Sequence, residues 1–163
     1  MPQEIEHKYL VLSDAWRAEV RSSRRIRQGY FISDGVRSVR VRTAGEHAWF
    51  TVKSDARVID GASQRAEFEY SIPLADADYM LDHLCTQPLV EKIRHEVEHA
   101  GLLWEIDEFL GANDGLIMAE VEVDDAQQHI ALPAWAGREV TSDPRYFNSY
   151  IGKHPGFWKT SAM

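Results

Sequence analysis

The feature that most restricts the fold is a two-residue alternation of apolar and ionised side chains that recurs in segment after segment. Successive strand residues point to opposite faces, so residues two apart share a face. In Glu4-Ile5-Glu6-His7-Lys8 two carboxylates and an ammonium point one way and Ile5 the other. The valines of Val39-Arg40-Val41-Arg42 oppose both arginines, and Ala48, Phe50 and Val52 oppose Trp49, Thr51 and Lys53. Arg65, Glu67, Glu69 and Ser71 oppose Ala66, Phe68, Tyr70 and Ile72, and Lys92 and Arg94 oppose Ile93. Glu105 and Asp107 oppose Trp104 and Ile106, while Glu120 and Glu122 oppose Ala119, Val121 and Val123. A face that only meets water would mix Ser, Thr, Asn, Gln and Lys. Here Arg, Lys, Glu and Asp dominate it, strand after strand.

The pattern predicts eight strands, near residues 3–11, 26–32, 36–43, 47–54, 65–73, 90–99, 102–110 and 116–123. Ser33-Asp34-Gly35, Ala44-Gly45-Glu46, Asp60-Gly61, Ala100-Gly101 and Asn113-Asp114-Gly115 supply the turns between them. Ser13-Asp14 predicts a capped helix through Val20 and Asp76 another through Leu84, with shorter helices over 124–131 and 145–153. The expected class is therefore α+β: one domain over residues 1–163, mainly an antiparallel eight-stranded sheet with peripheral helices. The tail from about residue 152 carries no assigned role. Alternation alone admits an open sheet with one wet face or a closed barrel with inward and outward positions. In a barrel whose apolar faces lie outward beneath the helices, the ionised faces line a tunnel. Like charges crowded there repel unless they are paired, metal-bound or ligand-bound.

Composition narrows the partners. With 163 residues, 44% hydrophobic and 27% charged, the chain has the make-up of an ordinary globular domain. The formal net charge of -8, with no basic tail or stripe, argues against a nucleic-acid partner but leaves room for a small phosphate ligand held by clustered cations. No apolar run approaches the roughly 18 residues of a membrane span, and no basic-then-apolar leader precedes the first strand, so no membrane partner is expected. One cysteine, Cys85, excludes an intrachain disulfide framework and fits a reducing cytoplasm. With Leu81, Leu84 and Leu89 nearby it reads as a buried small hydrophobe.

Taken in order, Glu4-x-Glu6-x-Lys8, Gln28-Gly29-Tyr30, Arg40-x-Arg42, Lys53, Glu67-x-Glu69, Lys92-x-Arg94, Asp107 and Glu120-x-Glu122 resemble the CYTH proteins, the triphosphate tunnel metalloenzymes. The resemblance runs from residue 4 to about 150 and is closest to the small bacterial inorganic triphosphatases of that family. It departs at His7, where an arginine is common, and at Phe147, where a further basic residue is often found. The resemblance implies an eight-stranded antiparallel tunnel that hydrolyses inorganic triphosphate to pyrophosphate and phosphate with Mg²⁺ or Mn²⁺. It implies phosphate contacts from Lys8, Arg40, Arg42, Lys53, Lys92 and Arg94, whose guanidinium forks suit bidentate recognition. Arg27 and Arg65 are less readily placed. Glu4, Glu6 and Glu122 come first as metal ligands, followed by Glu120 and Asp107, and oxygen-only donors suit a hard cation better than zinc.

Tyr30 and Lys53 both fall on the inferred inner face, and a phenol becomes a better base when a cation stabilises its phenolate. That makes them the expected general-base dyad; the plainer alternative is that Tyr30 shapes the tunnel and Lys53 only binds phosphate. Glu67 and Glu69 are expected to scaffold the arginines, with metal binding the alternative. A nucleoside or thiamine triphosphatase or a class IV-type adenylate cyclase, which would share such a site, is the near alternative that the resemblance implies. A non-catalytic polyphosphate-binding module is the alternative of another class. Three features are set aside. His95-Glu96-Val97-Glu98-His99 matches the zinc helix motif, but Ile93, His95, Val97 and His99 alternate as in a strand, placing the histidines roughly 13 Å apart. Trp16, Trp104, Trp135 and Trp158 read as packing between barrel and helices, and Trp49 as a rim residue on the charged side. His83, His129 and His154 lack partner spacing and are expected at the surface or at helix ends.

Overall fold

The structure, a computed structural model, describes residues 3–34, 36–55 and 57–161. Ten strands lie in one sheet among these residues: β1 (Gln3–Val11), β2 (Val20–Ser33), β3 (Arg37–Ala44), β4 (His47–Ser54), β5 (Arg57–Ile59), β6 (Ala62–Ser71), β7 (Val90–His99), β8 (Leu102–Phe109), β9 (Ile117–Glu122) and β10 (Ala136–Glu139). The order β1-β9-β8-β7-β2-β3-β4-β6 closes on itself because β1 also pairs with β6, Glu4 opposite Arg65 and Glu6 opposite Ser63. Every pairing is antiparallel, and the result is a closed eight-stranded barrel with β5 and β10 added at its margins. Closure removes the exposed edges that an open sheet of this length would leave.

Directly opposed residues share a face, so the register fixes what points inward. Lys8 opposes Glu120, which opposes Glu105; Arg94 opposes Asp107; Tyr30 opposes Arg40; Lys53 opposes Glu67. The ionised faces therefore line the interior, and the tunnel is the arrangement the chain adopts. The apolar faces form the outer wall, packed in two patches. Tyr9, Trp104, Ile106, Val121 and Val97 meet Trp16 and Trp135. Val41 and Ala48 pack against Ala77 and Leu81 of α1 (Leu74–His83), with Cys85 buried beside them. At one end inward-pointing Val90, Phe109 and Met118 join Tyr146 and Ile151 in an apolar cluster that docks the C-terminal segment. That segment holds a single 3-10 turn (Pro144–Tyr146), α2 (Asn148–Lys153) and α3 (Trp158–Ser161).

Several local expectations are corrected. The helix expected after Ser13-Asp14 is only a 3-10 turn, Ala15–Glu19, because Trp16 is drawn fully into the core and Val20 already enters β2. Asp76 lies in the first turn of α1 rather than opening it; the helix begins two residues earlier, after Pro73. Residues 124–131 form turns, stabilised where Asp125 accepts from the Gln127 amide, rather than a helix. Strand β2 starts six residues before its expected edge, and β5 and β10 were not expected. Helices cover less of the outer wall than expected: across the patch containing Trp104 the cover is Trp16, Trp135 and the segment around Ile130. His95 and His99 do lie on strand β7.

Candidate active site

Barrel closure forces charges that are far apart in sequence into one desolvated interior. A cavity of about 150 Å³ is bounded by Glu4, Glu6, Arg40, Arg42, Lys53, Arg65, Glu67, Glu69, Arg94, Glu105, Glu120, Glu122 and Asn148. It adjoins a vestibule of about 470 Å³, which shares Arg40, Lys53, Arg65 and Asn148 and adds Tyr30, Arg37, Phe147, Tyr150 and Lys153. Lys8, Lys92 and Asp107 lie in the same interior and are nearly solvent-free, at 1%, 0% and 0% exposure. The structure thus brings together all fourteen residues expected from the sequence. Trp49 is not among the cavity walls; it is half-buried beside His47.

The charges are arranged in pairs, and the pairs are uneven. Asp107 accepts from Lys92 Nζ at 2.7 Å and from Arg94 Nε and Nη2 at 2.8 Å each, a forked geometry. Burial opposes its ionisation, yet Arg94 and Lys92 hold the carboxyl well below the usual range. Burial pushes the Lys92 ammonium down to about 7, with Asp107 resisting. Lys53 Nζ lies 3.2 Å from Glu4 and 3.6 Å from Glu67. Burial and then Arg40 push it down to about 8. Against burial, Lys53 and Arg65 keep Glu4 well below the carboxylate range. Lys8 stands between Glu6 at 3.8 Å and Glu120 at 3.7 Å. Arg40 reaches Glu69 at 3.9 Å, and Thr51 donates to the same carboxylate.

Two imbalances remain. Arg42 has no carboxylate at ion-pair distance among the described residues; its Nε and Nη2 both donate to Gln28 Oε1, at 3.1 and 3.0 Å. Burial, then Arg40 and Arg94, push it down to about 9, a sign of cations crowded without counter-charge. Arg40 Nε is buried with no hydrogen-bond partner. On the acidic side, burial, then Glu120 and Glu4, push the Glu6 carboxyl up to about 8, and Glu120 Oε1, 3.7 Å from Lys8 Nζ, is buried without a hydrogen bond. Burial followed by Glu4 and Glu105 raises Glu122 as well. Buried donors and acceptors are seldom left unmet. Around Arg40 and Arg42 the cations outnumber their counter-charges, and around Glu6, Glu120 and Glu122 Lys8 and Arg94 neutralise the carboxylates only in part.

That second deficit bears on a metal. Glu4, Glu6, Glu120 and Glu122 offer oxygen donors only, crowded enough to repel, as a hard divalent cation requires. Among the described residues no three acidic or histidine side chains are already gathered as a metal centre, and Lys8 separates Glu6 from Glu120. Asp107 is fully engaged by Lys92 and Arg94. Tyr30 and Lys53 line the same vestibule, but no hydrogen bond joins them among the described residues: the Tyr30 hydroxyl accepts from Gln28 Nε2 at 3.3 Å.

Sequence reasoning passed over Glu105 and Asn148 and left Arg65 unsettled. Arg65 points into the cavity and binds Glu4 at 3.3 Å, as its place in the Arg65, Glu67, Glu69 alternation implied. Glu105 meets Arg94 at 3.3 Å. Asn148 comes from a segment without strand alternation, and nothing in the local pattern marks it. Arg27 lies outside, paired with Asp78 and Asp82 of α1. His7 also faces outward, bonded through Nδ1 to Glu139 of β10.

A closed antiparallel barrel filled with opposed cationic and acidic arcs is the architecture of a triphosphate tunnel, and the sequence agrees: the CYTH domain model matches residues 2–148, and this chain belongs to that family. It is 43% identical to an inorganic triphosphatase from Acetivibrio thermocellus over 155 residues, covering 95% of this chain and 96% of the relative. An inorganic triphosphatase from Nitrosomonas europaea is 35% identical over 91% of this chain and 95% of its own. The crystal structure of an inorganic triphosphatase superposes with a TM-score of 0.66 at 33% identity, covering 96% of this chain and 99% of that one.

Proposed function

We propose that this chain is a metal-dependent inorganic triphosphatase, hydrolysing inorganic triphosphate to pyrophosphate and phosphate within the barrel. The observation that carries the reading is the pair of imbalances in one cavity: guanidinium groups of Arg40 and Arg42 without full counter-charge, facing Glu6, whose carboxyl burial and Glu120 push up, and Glu120, whose Oε1 has no hydrogen bond. Arg40, Arg42, Lys53, Lys92, Arg94 and Lys8 bind and orient the phosphoryl oxygens, and such positioning with electrostatic stabilisation is most of what phosphoryl transfer requires. Glu4, Glu6, Glu120 and Glu122 hold the ion, Mg²⁺ or Mn²⁺. When bound, it supplies charge neutralisation across the phosphoryl oxygens. Asp107 serves instead to fix Lys92 and Arg94, whose three hydrogen bonds it accepts. Glu67 and Glu69 hold Lys53 and Arg40.

Water attacks a terminal phosphorus, the P–O bond to the bridging oxygen breaks, and pyrophosphate leaves. Tyr30, as the phenolate, accepts the water's proton, and Lys53 lines the same vestibule. The vestibule also favours a second reading: lined by Tyr30, Phe147 and Tyr150, it has room for an organic substituent on the last phosphate, as in a nucleoside or thiamine triphosphate. The buried free thiol of Cys85 suits the reducing cytoplasm we assign to the protein. Glu6→Gln tests the enzymatic reading against a binding module. In an enzyme turnover collapses; a pure anion binder keeps or strengthens its affinity for triphosphate.

A further inference from the structure

Asn148 is the one residue shared by the tunnel cavity and the vestibule that is neither charged nor on a barrel strand. Its Oδ1 accepts from Lys92 Nζ at 3.1 Å, while Asp107 takes a second Lys92 proton at 2.7 Å. An ammonium has three donors, so these two bonds leave one free and fix its direction. The Asn148 amide nitrogen has no partner among the described residues, and the side chain borders the cavity that Arg40, Arg42 and Arg94 also border.

The six-residue helix α2 that carries Asn148 is tied down at several points. Its neighbour Phe147 lies under Lys8, with the ammonium 5.1 Å from the ring centroid. Farther along α2, the Ile151 carbonyl accepts from buried Asn113, and Lys153 donates to the Ser33 carbonyl at the tip of β2. Two barrel strands, β1 and β2, and the turn between β8 and β9 thus hold the helix that carries the amide, which keeps its donor in place before a ligand arrives.

Resting on the reading of the site as a triphosphatase, we infer that Asn148 positions the substrate: its amide nitrogen donates to a phosphoryl oxygen at the vestibule end of the tunnel while its carbonyl oxygen aims Lys92 at the same group. A neutral donor there binds phosphate without repelling the neighbouring cations. It also ties occupancy of the tunnel to the seating of α2 over the vestibule.

Two variants separate this role from simple anchoring. Asn148→Asp keeps the acceptor for Lys92 and hence the anchor, but replaces the donor with a negative oxygen. Asn148→Ala removes both. With inorganic triphosphate as substrate, we expect KM to rise about tenfold or more in Asn148→Ala, as for a lost hydrogen bond to a charged group, and further still in Asn148→Asp. The kcat should stay within about threefold, and the melting temperature of Asn148→Asp should match wild type. An Asn148→Asp variant with wild-type KM, beside a wild-type enzyme that cleaves triphosphate, would overturn the inference and leave the functional reading intact. A wild-type protein that neither binds nor cleaves triphosphate would overturn both.

Discussion

Replacing Asp107 by Asn gives the sharpest test of how the interior is held together. Asp107 is fully buried and accepts three hydrogen bonds from two cations, Lys92 and Arg94, themselves 0% and 6% exposed. Removing one member of a buried charge cluster leaves its partners uncompensated, at a cost of about 3–5 kcal/mol. Arg94 keeps Glu105 at 3.3 Å and Glu120 at 3.8 Å, so the lower part of that range applies to it, whereas Lys92 retains only Asn148. For a domain of this size, each kcal/mol moves the melting temperature by about 2–4 °C. The variant should therefore melt roughly 6–20 °C below wild type at neutral pH. The sign with pH follows from the depressed carboxyl. Its stabilisation is present above the unfolded value of about 4 and is lost as pH falls toward the folded value, so the two proteins should converge in acid. Inorganic triphosphate added in the presence of a chelator, which blocks turnover, restores counter-charge to Lys92 and Arg94. It should raise the melting temperature of the variant more than that of wild type. Thermal scans across pH with and without triphosphate provide the measurement. A variant melting within about 2 °C of wild type at neutral pH would refute the reasoning and free Asp107 for another task, metal binding included.

Four further outcomes follow from the same geometry. Glu6, pushed up to about 8, binds more protons folded than unfolded, so the metal-free protein should lose stability as pH rises from about 4 to 8. Glu6→Gln should flatten that slope in urea titrations, and Mg²⁺ should oppose it in wild type only. Glu6→Gln should also lower triphosphate turnover by at least about 100-fold, beyond the 10–100-fold typical of residues that merely support a metal ligand, as read by phosphate release. Tyr30→Phe should cut kcat by about 100-fold or more with KM little changed if the phenol is the base; an unchanged kcat would leave Lys53 a phosphate ligand and Tyr30 a wall. Trp104→Ala, at a fully buried position packed on Tyr9 and Trp135, should cost about 3–5 kcal/mol in equilibrium unfolding.

Much of this architecture is legible in the chain because barrel strands write their two faces directly into the sequence. Arg40 and Arg42 set against Val39 and Val41 are enough to define a strand and its inward side. The failures have physical causes. The first half of β2, Arg21-Ser22-Ser23-Arg24-Arg25, is polar on both faces, since it pairs with β7 where both sides reach water, so it shows no alternation. β5 and β10 are three and four residues long and pair on one side, too short to display a period. Trp16 turned an expected helix into a single tight turn because its burial against His95 and the outer wall outweighs local capping. The inward charges were readable; their partners were not. That Asp107 belongs to Lys92 and Arg94, that Arg42 rests on Gln28, and that Asn148 enters the tunnel from the C-terminal segment all depend on strand order and barrel closure.

The central claim is that opposed charge arcs in a closed barrel cleave the phosphoanhydride of inorganic triphosphate. Incubating the purified protein with Mg²⁺ or Mn²⁺ and, separately, inorganic triphosphate, ATP and thiamine triphosphate, then resolving every product by chromatography, tests it directly. The account predicts rapid conversion of inorganic triphosphate to pyrophosphate and phosphate, slower cleavage of the organic triphosphates and no cyclic AMP. Cyclic AMP with pyrophosphate from ATP, or tight triphosphate binding without any turnover, would contradict it.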